Sequence, residues 1–190
     1  MKLIGICGYI GSGKTTMINY LKTKPNFFVI EADEISKHVL YEKNVLSFLK
    51  TNIPECLTNN IIDKDKLRNT VFNNPEINDK FVAIMWPLIT LKIKEIIKGK
   101  KNNYEIIFVE AAMINGLDIK FNKTILLTKS ESQRLDSVKK RDNREFEEIK
   151  SITKYQKEKL KNMEFDYTLV NNHNKTTFYK KIDELIEKIK

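Results

Sequence analysis

Gly8-Tyr9-Ile10-Gly11-Ser12-Gly13-Lys14-Thr15 satisfies G-x-x-x-x-G-K-[ST] at every constrained position, and its setting restricts the chain to a narrow set of folds. The octapeptide follows Lys2 to Cys7, a short apolar run that reads as a buried strand. It opens a stretch from Thr15 to Lys22 that reads as a helix. Glycines suit such a turn because successive backbone N–H groups must face inward around a polyphosphate, where side chains would block the concavity. Lys14 would bring a cation to the β- and γ-phosphates and Thr15 a hydroxyl to Mg²⁺, with Thr16 following in the helix. The positive end of that helix adds to the attraction. The expected ligand is a nucleoside triphosphate.

The remaining chain supplies strands to go with the turn. Phe27 to Ile30, Tyr104 to Val109, Lys123 to Thr128 and Tyr167 to Val170 are short apolar runs, and Phe178 to Ile189 is amphipathic with Ile182, Leu185, Ile186 and Ile189 on one face. Gly116-Leu117 reads as a turn or short helix. Between about 34 and 99 strand signals nearly vanish and helical spacing takes over, broken at Pro54, Pro75 and Pro87. Residues 131 to 162 are densely charged and read as an exposed, mobile helical pair without apolar anchoring. Alternating strands and helices predict an α/β sandwich with a five-stranded parallel sheet. The expected organisation is a single domain: a core at about 1–33 and 100–190, a helical insertion at about 34–99, and a lid at about 134–160.

Composition narrows the function classes. With 190 residues and 41% hydrophobic content the chain can bury a real core, which excludes a disordered tail protein. Apolar stretches such as Ile106 to Val109 fall far short of the roughly 20 residues that span a bilayer. No leader is visible at Met1, so a cytoplasmic location is expected. Cys7 and Cys56 make no disulfide framework and no metal-ligand spacing, and Cys7 is expected in the core. The net charge of +9 comes largely from scattered lysines; the four arginines are Arg68, Arg134, Arg141 and Arg144. This favours a surface that attracts phosphorylated small molecules, with no nucleic-acid groove and no membrane partner.

Kinases, switch GTPases and motor ATPases share the glycine turn. The segment Asn171-Asn172-His173-Asn174 lacks an N-K-x-D-like guanine signature, while the helical insertion and late arginine-bearing segment match the layout of small-molecule P-loop kinases. Other readings are a P-loop kinase for another nucleotide or nucleoside, a catalytically weak NTP-binding regulator, and a nucleic-acid-associated ATPase. Asp33, just past the second strand run, is by position either a helix N-cap or a carboxylate facing the phosphates. Glu110 ends an apolar strand, where it would either hold Mg²⁺ through water or make a structural hydrogen bond. Trp86 is expected to pack among the insertion's helices.

Nearly the whole chain resembles the dephospho-CoA kinase family. Ile4-Gly5-Ile6-Cys7-Gly8-Tyr9-Ile10-Gly11-Ser12-Gly13-Lys14-Thr15 is close to its I-G-L-T-G-G-I-G-S-G-K-S/T, and Glu31-Ala32-Asp33-Glu34-Ile35 to its D-A-D-x-I. Ile62 to Phe72 is similar to its D-R-x-x-L-R-x-x-V-F stretch, and Pro87-Leu88-Ile89 to its H-P-L-I. Gln133-Arg134-Leu135 through Arg141-Asp142, then Gln156, and then Asp166-Tyr167 to Asn171 follow in the family's order. The chain departs from the family at Trp86, where His is usual, and at Glu110-Ala111-Ala112-Met113-Ile114, where P-L-L-F-E is usual. The resemblance implies an ATP- and Mg²⁺-dependent kinase for the ribose 3′-hydroxyl of dephospho-CoA. It implies Asp33, Lys14 and Arg141 as catalytic residues, with Arg134 or Arg144 as substitutes for Arg141. It further implies Thr15 and Glu110 toward the metal, Asn171 and Asn172 near the adenine, and Lys64 and Arg68 toward the acceptor's phosphates.

Overall fold

The computed structural model describes residues 1–142 and 145–190. In chain order the elements are β1 (Lys2–Gly8), α1 (Lys14–Leu21), β2 (Phe27–Glu31), α2 (Ala32–Val39), α3 (Lys43–Asn52), β3 (Leu57–Thr58), β4 (Ile61–Ile62), α4 (Lys64–Asn73) and α5 (Pro75–Lys100). They continue with β5 (Ile106–Glu110), β6 (Lys123–Thr128), α6 (Glu131–Asp142), α7 (Phe146–Leu160), β7 (Tyr167–Val170) and α8 (Lys175–Ile189). The chain divides into two compact units: Met1–Glu31 with Ile97–Gly116 and Lys120–Lys190, and Ala32–Ile96 with Leu117–Ile119.

The first unit is built on a five-stranded sheet in the order β2-β5-β1-β6-β7, with all neighbours parallel. β1 and β5 are continuous apolar runs because both their faces are covered, which is why neither shows the alternation of a half-exposed strand. Ile4, Ile6, Phe108, Ile125 and Leu127 pack with Met17 and Leu21 of α1 and with Phe178, Ile182, Leu185, Ile186 and Ile189 of α8. The apolar face read from the last helix is therefore its buried face. Cys7 is fully buried in β1, and its burial pushes the thiol up to about 12, which leaves it an inert core residue. Parallel pairing puts every strand's carboxyl end on one edge, and there the last residues of β2 and β5, Glu31 and Glu110, lie in register.

The second unit is mainly helical but carries a small antiparallel hairpin, β3 to β4, that the sequence pattern does not announce. Asn59 and Asn60 turn it with φ of 51° and 63°, a left-handed pair that asparagine tolerates better than most residues. Pro75 opens α5 and Pro54 opens a single 3-10 turn, Pro54–Cys56, as their missing N–H groups favour. Pro87 does not break the chain as expected: α5 runs through it for 26 residues. Met85, Ile89, Thr90 and Ile93 are buried around the proline, so packing on both sides of it offsets the lost backbone bond. Trp86 beside it is half-buried.

A second correction concerns α6 and α7. They are not free of apolar anchoring, because Val138, Ile149 and Leu160 are buried, together with Arg134, Thr153 and Gln156.

Candidate functional site: a phosphate nest at the sheet's carboxyl edge

β1 delivers the chain to the edge of the sheet at Gly8, and α1 begins at Lys14, so residues 9 to 13 must reverse direction over a few ångströms. The Ser12 N–H donates to the Tyr9 carbonyl at 3.0 Å and closes the turn, and the Met17 N–H reaches back to the Gly13 carbonyl at 3.0 Å to start the helix. Gly11 and Gly13 are required both by their backbone conformation and by what surrounds them. Gly11 has φ 77°, and a Cβ there would stand 2.7 Å from Val138 Cγ2 and 2.8 Å from the Arg134 carbonyl. Gly13 has φ 98°, and its Cβ would stand 2.2 Å from Asn171 Nδ2. A side chain at either position would meet left-handed strain of ~1–2 kcal/mol in addition to the collision.

Lys14 lies over the turn rather than out in solvent: its Nζ donates to the Gly8 carbonyl at 2.9 Å and stands 4.0 Å from Glu110 Oε1. Glu110 is 4% exposed. The pair places a cation at the mouth of the turn with a carboxylate behind it. α1 has no acidic residue in its first turn, so the partial positive charge of its start is left for a ligand. Thr15 is exposed, Thr16 is half-buried and Ile10 is half-buried. Ser12 is fully buried, and its Oγ has no hydrogen-bond partner among the described residues.

The other expected site residues fall in several places. Asn171, just past β7, donates from Nδ2 to the Ser12 carbonyl at 3.0 Å, so it touches the turn's backbone directly. Asn172 accepts from the Ser130 N–H at 2.8 Å. Arg141 is exposed and held by its neighbour, with Nε and Nη2 on the two oxygens of Asp142 at 2.6 and 2.7 Å; that contact keeps the guanidinium's pKa raised. Arg144 lies outside the described residues. Arg134 is not the solvated side chain its charged neighbourhood suggests: it is 2% exposed and donates from Nη1 to the Ile10 carbonyl at 3.1 Å.

In the second unit, Asp33 is exposed and is the second residue of α2, which starts at Ala32, so the expected N-cap role is corrected: the helix begins before Asp33. Asp63 does cap a helix, accepting from the Asp65 and Lys66 N–H groups at 3.1 Å. Arg68 is engaged with Asp65 at 3.2 Å, and Lys64 is exposed.

Sequence reasoning missed that Arg134 and Gln156 both reach the glycine turn. A Gln in a charged helix gives little local signal, since its partner lies 146 positions away in the chain. Among the described residues no group of three or more His, Cys, Asp or Glu could hold a metal by itself, and no helix is long and apolar enough to cross a membrane.

Comparison with known proteins covers the same span. A family model described as Dephospho-CoA kinase matches residues 2–177. The chain is similar to a protein named Dephospho-CoA kinase from Photobacterium profundum, 30% identical over 191 residues, covering 98% of this chain and 94% of that protein. It is likewise similar to a Dephospho-CoA kinase from Fusobacterium nucleatum, 31% identical over 193 residues and covering 98% of both. Among solved structures, a dephospho-CoA kinase from Campylobacter jejuni superposes with a TM-score of 0.60 at 26% identity, covering 99% of this chain and 97% of that one.

Proposed function

The chain belongs to the dephospho-CoA kinase family, and on that premise we propose how its residues carry out the ATP-dependent phosphorylation of the ribose 3′-hydroxyl of dephospho-CoA, with coenzyme A and ADP as products. The observation that carries the reading is the family match over residues 2–177, a span that includes the glycine turn, the Asp33 segment and the arginine-bearing helices.

The nest holds the triphosphate. Its backbone amides and the start of α1 meet the anionic oxygens, and Lys14 supplies a preplaced cation for the charge that develops toward the β-phosphate. In the transfer the acceptor oxygen forms a bond to the γ-phosphorus while the bond to the β,γ-bridging oxygen breaks, and ADP leaves with that oxygen. The hydroxyl's proton needs an acceptor. Asp33 takes that role in our reading, supported by the Glu31-Ala32-Asp33 match and by its exposed carboxylate in the first turn of α2. A loose transition state demands little of a base, so orienting the hydroxyl is a large part of the contribution. Arg141 is the lid cation of this reading. To reach a phosphoryl oxygen it must exchange its Asp142 carboxylate for the ligand, a swap of one anion with two acceptor oxygens for another.

Mg²⁺ fits the oxygen donors present. Thr15 and Glu110 would hold it, directly or through water, and an ion that keeps most of its water and phosphate ligands needs no more than one or two protein oxygens. When bound, it neutralises charge on the β- and γ-phosphates. Asn171 is placed on the nucleotide side of this reading because it supports the turn at Ser12.

The test is an assay of ADP release with dephospho-CoA, AMP and nucleosides as acceptors. Turnover dependent on dephospho-CoA is the expected result, and faster turnover with a nucleoside or nucleotide would refute the acceptor.

A further inference from the structure

One residue of the glycine turn is gripped from both sides. The Ile10 N–H donates to Gln156 Oε1 at 2.9 Å, and the Ile10 carbonyl accepts from Arg134 Nη1 at 3.1 Å. The two side chains come from different helices, α7 and α6, and both are buried, at 5% and 2% exposure. The same Nη1 also donates to Thr153 Oγ1 at 3.0 Å, and that hydroxyl donates to the Ile149 carbonyl at 2.8 Å. The Tyr9 ring lies 5.5 Å from the guanidinium carbon, and Gly11 is packed against Val138 and the Arg134 backbone.

A peptide plane carries its C=O and N–H in opposite directions, so each of these bonds orients a second group. Gln156 on the Ile10 N–H turns the Tyr9 carbonyl the other way, where it accepts from the Ser12 N–H and closes the turn. Arg134 on the Ile10 carbonyl turns the Gly11 N–H away from α6. Two successive peptide planes of the turn are thereby set by side chains more than 120 positions away.

Mere attachment of a helix pair does not require a buried guanidinium. Its nearest described carboxylate is the exposed Glu131 at 4.0 Å, and burial lowers its pKa. An apolar side chain would hold the helices at lower desolvation cost. The choice of donor and acceptor on Ile10 is explained if the direction of its peptides matters.

We infer that Arg134 and Gln156 are positioning residues for the phosphoryl transfer, acting through Ile10 to hold the loop's amides in the orientation that receives nucleotide phosphates. The inference rests on the nucleotide reading of the nest. In this reading both side chains act through the Ile10 peptide, and Arg134 serves as a positioning residue rather than as a substitute for Arg141.

The experiment compares wild type with Gln156→Met, which keeps volume but removes the acceptor, and with Gln156→Glu, which restores one. It measures kcat, KM for both substrates and the dissociation constant for ATP well below each melting temperature. Gln156→Met should raise the KM and dissociation constant for ATP by at least about tenfold with the acceptor's KM little changed, and Gln156→Glu should recover most of the loss. A lower melting temperature with unchanged ATP constants would make the grip purely structural and overturn the inference. If Gln156→Met does not fold, Arg134→Lys reads the same quantity, because an ammonium keeps the charge but loses the planar fork: a raised KM for ATP supports the inference and an unchanged one overturns it. Wild-type protein that fails to bind ATP would instead overturn the reading of the nest itself.

Discussion

At Lys14 a single side chain connects the turn's geometry to its chemistry. It is tied to the Gly8 carbonyl and stands near a buried Glu110, so it is held at the mouth of the nest before any ligand competes for it. Lys14→Ala should lower kcat by at least about 10²-fold and weaken ATP binding, the scale of losing one preorganised charge-stabilising donor. Steady-state kinetics with a binding titration check this, and retained ATP affinity together with retained turnover would refute the nest. Asp33 separates chemistry from stability. Asp33→Asn keeps the shape of the side chain and removes the proton acceptor, so kcat should fall by about 10²- to 10⁴-fold with little change in the KM for ATP. If its only contribution were a first-turn charge facing the helix start, full turnover would survive and only the melting temperature would drop slightly.

Between elements, β6 and β7 are joined at their starts by one carboxylate. Asp166 accepts from Lys123 Nζ and from the Thr124 N–H, both at 2.8 Å, and from Thr124 Oγ1 at 3.2 Å. The Lys123 ammonium, and after it the Thr124 N–H, hold the Asp166 carboxyl below its ordinary 3.8. Because the folded pKa is the lower one, this contribution is fully present above pH 3.8 and is lost as pH falls from there through the folded value. Asp166→Asn can still accept from Thr124 but carries no charge. Its stability should therefore decline less steeply than wild type over that acid window, as chemical denaturation at several pH values would measure. Parallel acid profiles would show that the ion pair is fully screened.

For the whole molecule, a bound acceptor should stabilise the fold by mass action. Dephospho-CoA at about 100 times its dissociation constant contributes ~2.7 kcal/mol, or roughly 5–10 °C in melting temperature for a chain of this size. AMP at the same concentration should shift it far less. Equal shifts would mean that binding energy comes from the adenylate portion alone, and would move the acceptor assignment toward simple nucleotides.

The motif at residues 8–15, the five sheet strands and the buried face of α8 were readable from the chain because each depends on local rules: glycine at positive φ, apolar runs of strand length, and helical spacing. The hairpin at Asn59-Asn60 escaped because strands of two residues have no period to detect. Pro87 misled for a related reason. Its local penalty is fixed by its ring, whereas the burial of Met85, Ile89 and Ile93 that outweighs it belongs to the packed helix. Arg134 and Gln156 looked like part of a solvated charged face, and composition cannot say which member of such a run finds a buried partner. Their partner is a single peptide group 124 and 146 positions earlier. The sequence alone determined that a phosphate-binding turn forms and where it sits, since its torsions are set by residues next to one another. Only the tertiary structure decided what holds that turn in shape, because a hydrogen bond between distant segments exists only once the sheet has brought them together.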